Sequence, residues 1–240
     1  MWEAARSGYA YVRRFTLDIL CTASPLHPVH WATMLYLVRR VKPEYTMVKP
    51  QRLRVLYELS QEIDRNNVPG DIVECGVYNG GTAAMMAYPG RAHKKSRDLW
   101  LFDSFEGLPP PTENDGAYEQ KNYYEGWCKG EIKKVEEIFR RLALPMERVH
   151  IVKGWFQDTF PMARIEPIAL LHIDADWYES VKLCLEKFYP HVAAGGYVEL
   201  DDYGTWEGCR KAVDEYFAAH HIRVELKTRD QVGFYFQKPH

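Results

Sequence analysis

From Asp71 onward the chain alternates. Five short apolar runs, at 71–77, 98–104, 149–154, 168–175 and 196–202, are separated by helix-patterned stretches at 81–88, 129–142, 179–189 and 206–219. Strands joined by helix-length crossovers pair in parallel with right-handed connections. The order therefore predicts an α/β fold: a mostly parallel sheet with helices on both faces. The end breaks the pattern. Segments 223–227 and 233–238 lie too close for a crossover helix and must pair antiparallel, as a hairpin or as one strand inserted beside its neighbour. Residues 1–44 carry no clear strand, and Pro25 and Pro28 split them into two pieces. Apolar positions Trp31, Met34, Leu35, Leu37, Val38 and Val41 give helical spacing. A further helix over 51–66 stops before Val68-Pro69-Gly70. The chain divides accordingly into an N-terminal helical extension, 1–44, and one α/β domain, 45–240.

Composition narrows the class. At 240 residues, 46% hydrophobic and 27% charged, the chain suits a soluble domain with a full core. A net charge of −2 offers no bulk attraction to nucleic acid or acidic membranes. No apolar run approaches the roughly 18–20 residues that span a bilayer. Arg6, Arg13 and Arg14 are followed by no apolar leader core, which leaves secretion unsupported. Five widely spaced cysteines without a C-x-x-C pair read as reduced thiols of a cytoplasmic protein and argue against zinc.

Two strand ends are acidic: Ile168-Ala-Leu-Leu-His-Ile-Asp174-Ala-Asp176 and Gly195-Gly-Tyr-Val-Glu-Leu-Asp201-Asp202. Carboxylates leaving buried strands at the carboxyl rim of an α/β sheet stand where such folds bind ligands. Three or four of them converging there repel one another unless they share a proton or a cation. A divalent metal with oxygen ligands is the expectation. In an extended strand Asp174 and Asp176 share a face, so spacing leaves both open; we favour Asp174. Asp176 would otherwise cap the helix starting near Tyr178, and Asp202 has a similar capping alternative. His172 on the same strand reads as a buried histidine satisfied by backbone rather than as a catalytic base. Trp177, Tyr178, Tyr203 and Trp206 near this rim read either as stacking surfaces for a sugar or as helix–sheet packing.

A glycine turn follows the first strand: Glu74-Cys-Gly76-Val-Tyr78-Asn79-Gly80-Gly81-Thr82. Such a turn lets a ligand press on the backbone, and the helix it opens offers free N–H groups. Its spacing departs from the dinucleotide pattern G-x-G-x-x-G. The second strand ends in Leu101-Phe-Asp103-Ser104-Phe105-Glu-Gly107, which sets a carboxylate beside the turn, where a ribose diol would lie. Asp103 has an alternative reading as a local turn cap. Pro109-Pro-Pro111 and the polar Thr112–Gly116 stretch form a long connection of the kind used for lids and binding loops.

Five ordered motifs together, Glu74 to Gly81, Phe102-Asp-Ser-Phe-Glu-Gly-Leu-Pro109, Gly154-Trp-Phe-Gln-Asp-Thr-Phe-Pro161, Asp174-Ala-Asp-Trp-Tyr-Glu-Ser180 and Gly195 to Tyr203, resemble the macrocin O-methyltransferase family. The resemblance runs from about Tyr45 to the C-terminus. It implies a class I methyltransferase fold, a seven-stranded sheet with an antiparallel last strand. It also implies S-adenosyl-L-methionine and Mg2+ (or Mn2+) as cofactors and a sugar hydroxyl of a natural product as acceptor. Carried over, Glu74, Gly76, Tyr78, Asn79, Gly80 and Thr82 would meet the methionine part. Asp103, Ser104 and Phe105 would hold the ribose end, and Gly154, Trp155 and Phe156 would border the adenine. Asp174, Asp201 and Asp202 would bind the metal, with Asp174 also against the cofactor and serving as general base. The metal would favour the alkoxide that attacks the sulfonium methyl. Backbone near Thr46-Met47-Val48 would close over the cofactor, and the N-terminal helices would join a homo-oligomer. Competing readings are a catechol-type O-methyltransferase, a nicotinamide-dependent dehydrogenase, and a non-catalytic cofactor-binding or scaffold protein.

Overall fold

The computed structural model describes residues 28–92 and 97–239; the part of the expected 1–44 helical extension before residue 28 lies outside them. Strands β1 (Asp71–Cys75), β2 (Leu99–Asp103), β3 (Val149–Lys153), β4 (Ile168–Ile173), β5 (Val192–Leu200), β6 (Lys227–Thr228) and β7 (Phe234–Gln237) form one sheet. Its order is β3-β2-β1-β4-β5-β7-β6. The first five strands are parallel, whereas β7 inserts antiparallel between β5 and β6. The two terminal segments therefore do pair antiparallel, but the expected strand at 223–227 contracts to the two residues of β6. Val224 and Leu226 pack instead against the apolar layer beneath α8.

The helices are α1 (Pro28–Val41), α2 (Pro50–Arg65), α3 (Gly81–Ala87), α4 (Ala117–Asn122), α5 (Ile132–Arg141), α6 (Phe156–Thr159), α7 (Tyr178–Phe188) and α8 (Glu207–Ala219). The period-two alternation of each strand splits the core into two layers. Ile72 and Leu170 face Leu37, Leu53, Leu56, Met85 and Phe139 of α1, α2, α3 and α5. Val73 and Leu171 face Val181, Leu185 and Val213 of α7 and α8. Leu37, Val38 and Val41 are fully buried, so α1 packs into the same layer as α2. Helix α5 begins three residues later than the pattern at 129–142 implies. Cys128 has φ +61° and Glu131 is extended at φ −136°, ψ 125°, so the helix cannot start before Ile132. Among the described residues no helix is long and apolar enough to cross a membrane.

Register brings the polar interior of the sheet together. Glu74 of β1 lies beside His172 of β4, which lies beside Glu199 of β5. Past this row the same three strands end in Gly76, Asp174 and Asp201, and the site is built there.

Candidate active site

A cavity of about 700 Å³ opens at the carboxyl ends of β1, β2, β4 and β5. One end is the turn between β1 and α3. Gly76 has φ +88°, and a Cβ there would sit 1.8 Å from the Asp174 carbonyl oxygen, so strands β1 and β4 can meet only at glycine. Asp103 at the end of β2 braces the turn: its Oδ2 accepts the N–H groups of Val77 and Tyr78 at 2.7 and 2.9 Å, and its Oδ1 accepts that of Phe105 at 2.6 Å. Burial raises the Asp103 carboxyl, opposed by those three donors. Asp103 thus stands beside the glycine turn, and its contacts are those of the turn-capping alternative.

Gly76, Tyr78, Thr82, Asp103, Ser104 and Gly154 line the cavity, as do Trp155, Phe156, Asp174, Asp201 and Asp202. The remaining expected cofactor residues stand behind its wall. Glu74 is fully buried below the turn, against His172. Asn79 clamps neighbouring segments, donating to the Glu44 carbonyl and accepting the Glu131 N–H. Gly80 packs on Val135, and Phe105 is buried. These four shape the turn without facing the cavity, because a helix opening at Gly81 turns residues 79 and 80 away from the rim. Thr46, Met47 and Val48 do line it, held by the Gly81 N–H bond to the Tyr45 carbonyl.

At the other end the oxygens of Asp174, Asp176 and Asp202 lie within 4.8 Å of one another. Burial, then the Asp201 charge, raises the Asp174 carboxyl well above its usual range. Burial, then Asp176 and Asp174, does the same to Asp202. Burial pushes Asp176 up to about 7 although Trp206 Nε1 donates to its Oδ1 at 2.7 Å. Asp176 does not cap α7. Its backbone is at φ +54°, and its N–H donates to Asp202 Oδ2 at 3.2 Å; the first N–H of α7, on Tyr178, donates to Asp115 Oδ1 at 2.8 Å.

Asp201 has different partners from the other two members of the expected trio. Its carboxylate pairs with Arg52 of α2, which also donates from Nε to Asp230 Oδ2 at 3.0 Å. Burial opposes ionisation of Asp201, but Arg52 and then His172 outweigh it and hold the carboxyl below its ordinary value. Asp201 Oδ1 lies 4.0 Å from His172 Nε2. The expectation that backbone satisfies His172 is corrected. Nδ1 sits 3.0 Å from Glu74 Oε1, and Nε2 sits 3.0 Å from Glu199 Oε2. The flanking parallel ladders occupy the backbone of β4, so the partners are side chains. Burial disfavours the imidazolium, yet the surrounding carboxylates raise the His172 pKa well above its usual value.

The rim fits a divalent cation on chemical grounds. It offers a close group of carboxylates, one buried and two half-buried, all hard oxygen donors, whose mutual repulsion a cation relieves. Asp115 and Trp127, from the long connection after β2, also line the cavity, as does Arg52, which had no signal in the sequence. Arg52 sits on a helix far in sequence from Asp201 and Asp230, and only the tertiary fold joins them.

A sheet of this order with an antiparallel β7, a glycine turn after β1 and an acid rim on β4 and β5 defines a class I methyltransferase. Residues 40–238 match the macrocin-O-methyltransferase (TylF) family, and the chain belongs to it. It is 39% identical over 198 residues to the demethyldecarbamoylnovobiocin O-methyltransferase of Streptomyces niveus, covering 81% of this chain and 76% of that protein. It is 33% identical over 197 residues to the 8-demethyl-8-(2,3-dimethoxy-alpha-L-rhamnosyl)-tetracenomycin-C 4'-O-methyltransferase of Streptomyces olivaceus, covering 80% and 75%. The solved structure of the O-methyltransferase NovP superposes with a TM-score of 0.76 at 38% identity, over 82% of this chain and 83% of that one. The chain is therefore an O-methyltransferase, and membership of a methyltransferase family implies S-adenosyl-L-methionine as donor. The dehydrogenase and scaffold readings fall with it.

Proposed function

We propose that this enzyme methylates a sugar hydroxyl, part of a vicinal diol in a natural product or glycan, with the help of a divalent metal ion. The observation that carries the reading is one cavity with a glycine turn and Asp103 at one end and a close group of three carboxylates at the other. The rhamnosyl group named for the Streptomyces olivaceus relative supports a sugar acceptor.

Gly76, Tyr78 and Thr82 border the methionine part of the donor, Asp103 and Ser104 its ribose, and Gly154, Trp155 and Phe156 its adenine. Glu74, Asn79, Gly80 and Phe105 hold the turn in shape from behind. Asp174 and Asp202 hold magnesium or manganese. Asp201, their neighbour in the expected set, and Asp176, already within reach, are the two sources of a third carboxylate. A cation bound there supplies positive charge that lowers the cost of deprotonating an alcohol. Asp174 faces the cavity beside Gly76, so it is placed to accept the hydroxyl proton directly or through a water. The walls hold the hydroxyl and the methyl donor in line, and that positioning contributes much of the rate. An aromatic diol would use the same acids, but its more acidic hydroxyl would tolerate loss of the metal better. The proposal also includes a cytoplasmic location, a division of the chain at 44/45, and a homo-oligomer built through the N-terminal helices.

The test is isothermal titration of S-adenosylhomocysteine into the purified protein, with and without Mg2+, on wild type and Asp103→Ala. Binding by wild type that is lost in a folded Asp103→Ala supports the reading and directs screening to sugar acceptors. A well-folded wild type that takes up no S-adenosylhomocysteine would overturn it.

A further inference from the structure

Between β2 and α5 the chain makes a loop closed at its base, where the Leu108 N–H donates to the Trp127 carbonyl at 2.7 Å. Loops of this length hold a shape only when their own side chains pin them. A buried carboxylate pins this one. Asp115 is 5% exposed, and its Oδ2 accepts the Thr112 N–H at 2.7 Å. Its Oδ1 leaves the loop and accepts the Tyr178 N–H at 2.8 Å, at the first residue of α7. The N-cap position of that helix is Trp177, whose side chain makes no capping bond, so the helix takes its cap from the loop. Helix α8 closes over the same point. A Cβ on Gly208 would fall 2.0 Å from Asp115 Oδ1 and 3.0 Å from the Tyr178 nitrogen.

What the pin holds is an aromatic wall. Trp177 Nε1 donates to the Pro109 carbonyl at 2.9 Å, a second tie between α7 and the loop. Trp127 of the loop meets Trp177 and Trp206 edge-on at 5.9 and 6.3 Å, and Trp177 meets Trp206 at 5.7 Å. All three rings line the cavity, and Trp206 donates to Asp176 of the acid group. The loop, the two helix starts and the acids therefore share one fixed frame.

We infer that Asp115 is a positioning residue for the acceptor side of the site: its carboxylate bolts the 108–127 loop onto α7 and α8 and so sets the tryptophan wall over the acids. The inference rests on the reading that this end of the cavity receives the acceptor. Gly208 is the complementary half of the bolt, since only a residue without a side chain leaves room for the carboxylate.

Hydrogen exchange on the full-length protein, with near-ultraviolet circular dichroism of the tryptophans, tests it in Asp115→Ala, Asp115→Asn and Gly208→Ala. In Asp115→Ala, peptides from 108–127 and the first turn of α7 exchange about ten- to a hundredfold faster, as expected for a lost charge-assisted bond. The tryptophan signal changes, while peptides of β1 and β4 and the affinity for S-adenosylhomocysteine stay within about twofold of wild type. Asp115→Asn keeps an oxygen for the Tyr178 N–H but turns an NH2 toward the Thr112 N–H, so it restores protection at the first turn of α7 and not at 112–115. Gly208→Ala reproduces Asp115→Ala without touching the loop, and the double variant is no worse than either single one. Wild-type exchange in Asp115→Ala, a fall in S-adenosylhomocysteine affinity in step with faster exchange, or multiplying effects in the double variant would each overturn the inference. None of these readouts needs acceptor turnover, whereas failure of the methyltransferase reading shows separately, as absent S-adenosylhomocysteine binding in wild type.

Discussion

Asp202 is buried and Asp174 half-buried, their oxygens lie within 4.8 Å of each other and of Asp176, and such a group is stable only with shared protons or a shared cation. Asp174→Asn and Asp202→Asn should therefore abolish the heat of Mg2+ binding while S-adenosylhomocysteine still binds. Methyl transfer should fall on the order of 10²–10⁴-fold in Asp174→Asn, the usual worth of a positioned base. Retained Mg2+ binding in both variants would remove them as ligands. Asp201→Asn and Asp176→Asn, compared in the same titration, identify the third carboxylate: the ligand's variant loses Mg2+ affinity and the other's keeps it. His172 makes a separate prediction about stability. Replacing it with Leu strands Glu74 and Glu199, both fully buried and deprived of the ring they flank. Breaking such a buried ionic contact costs about 3–5 kcal/mol, readable as a lower urea midpoint; a loss under about 1 kcal/mol would mean that the ring carries no charge-balancing role. That His172 is buried was legible from its apolar strand. Its partners were not, because they come from β1 and β5 and meet it only once the register of three strands is known.

The turn between β1 and α3 shows what an element-scale reading captures and where it stops. Its glycines and its place after an apolar run announce a ligand turn, and the structure sets that turn on the cavity. The pattern does not reveal that Gly76 is required by contact with the Asp174 backbone, since β4 arrives only after about a hundred residues of chain. Gly76→Ala should be strongly destabilising: its φ of +88° is strained for alanine, and the added carbon overlaps the Asp174 carbonyl. A loss beyond about 1–3 kcal/mol, with weakened S-adenosylhomocysteine binding in any folded fraction, is the expected result of thermal melts and titration; a wild-type melting temperature would show that the two strands can separate there. The apolar runs ended one or two residues beyond most observed strands, because the last residues of each run curl over the rim to become the site. Helices α4 and α6, at six and four residues, have too few turns to show a period and were hidden in the loops.

On the scale of the whole molecule, the proposed site would seat donor and cation in one cavity but on different parts of the sheet, the donor on β1, β2 and β3 and the cation on β4 and β5. The alternating pattern and the acid strand ends made the sheet and its acidic rim legible from sequence, and the long connection after β2 read as a binding loop; the ties that Arg52 and Asp115 make across the fold came only with the tertiary structure. Two ligands seated on separate elements of one cooperative domain should stabilise it by independent amounts. A ligand at a hundred times its dissociation constant adds about 2.7 kcal/mol, and each kcal/mol moves the melting temperature of a chain this size by about 2–4 °C. S-adenosylhomocysteine and Mg2+ at such concentrations should therefore each raise the melting temperature by about 5–10 °C, with the two shifts adding approximately. The variants separate them. Asp103→Ala should keep the Mg2+ shift and lose the S-adenosylhomocysteine shift, and Asp174→Asn should do the reverse. If both shifts vanish together in either variant, donor and metal are not held by separate strand ends, and the division of the cavity between them is wrong.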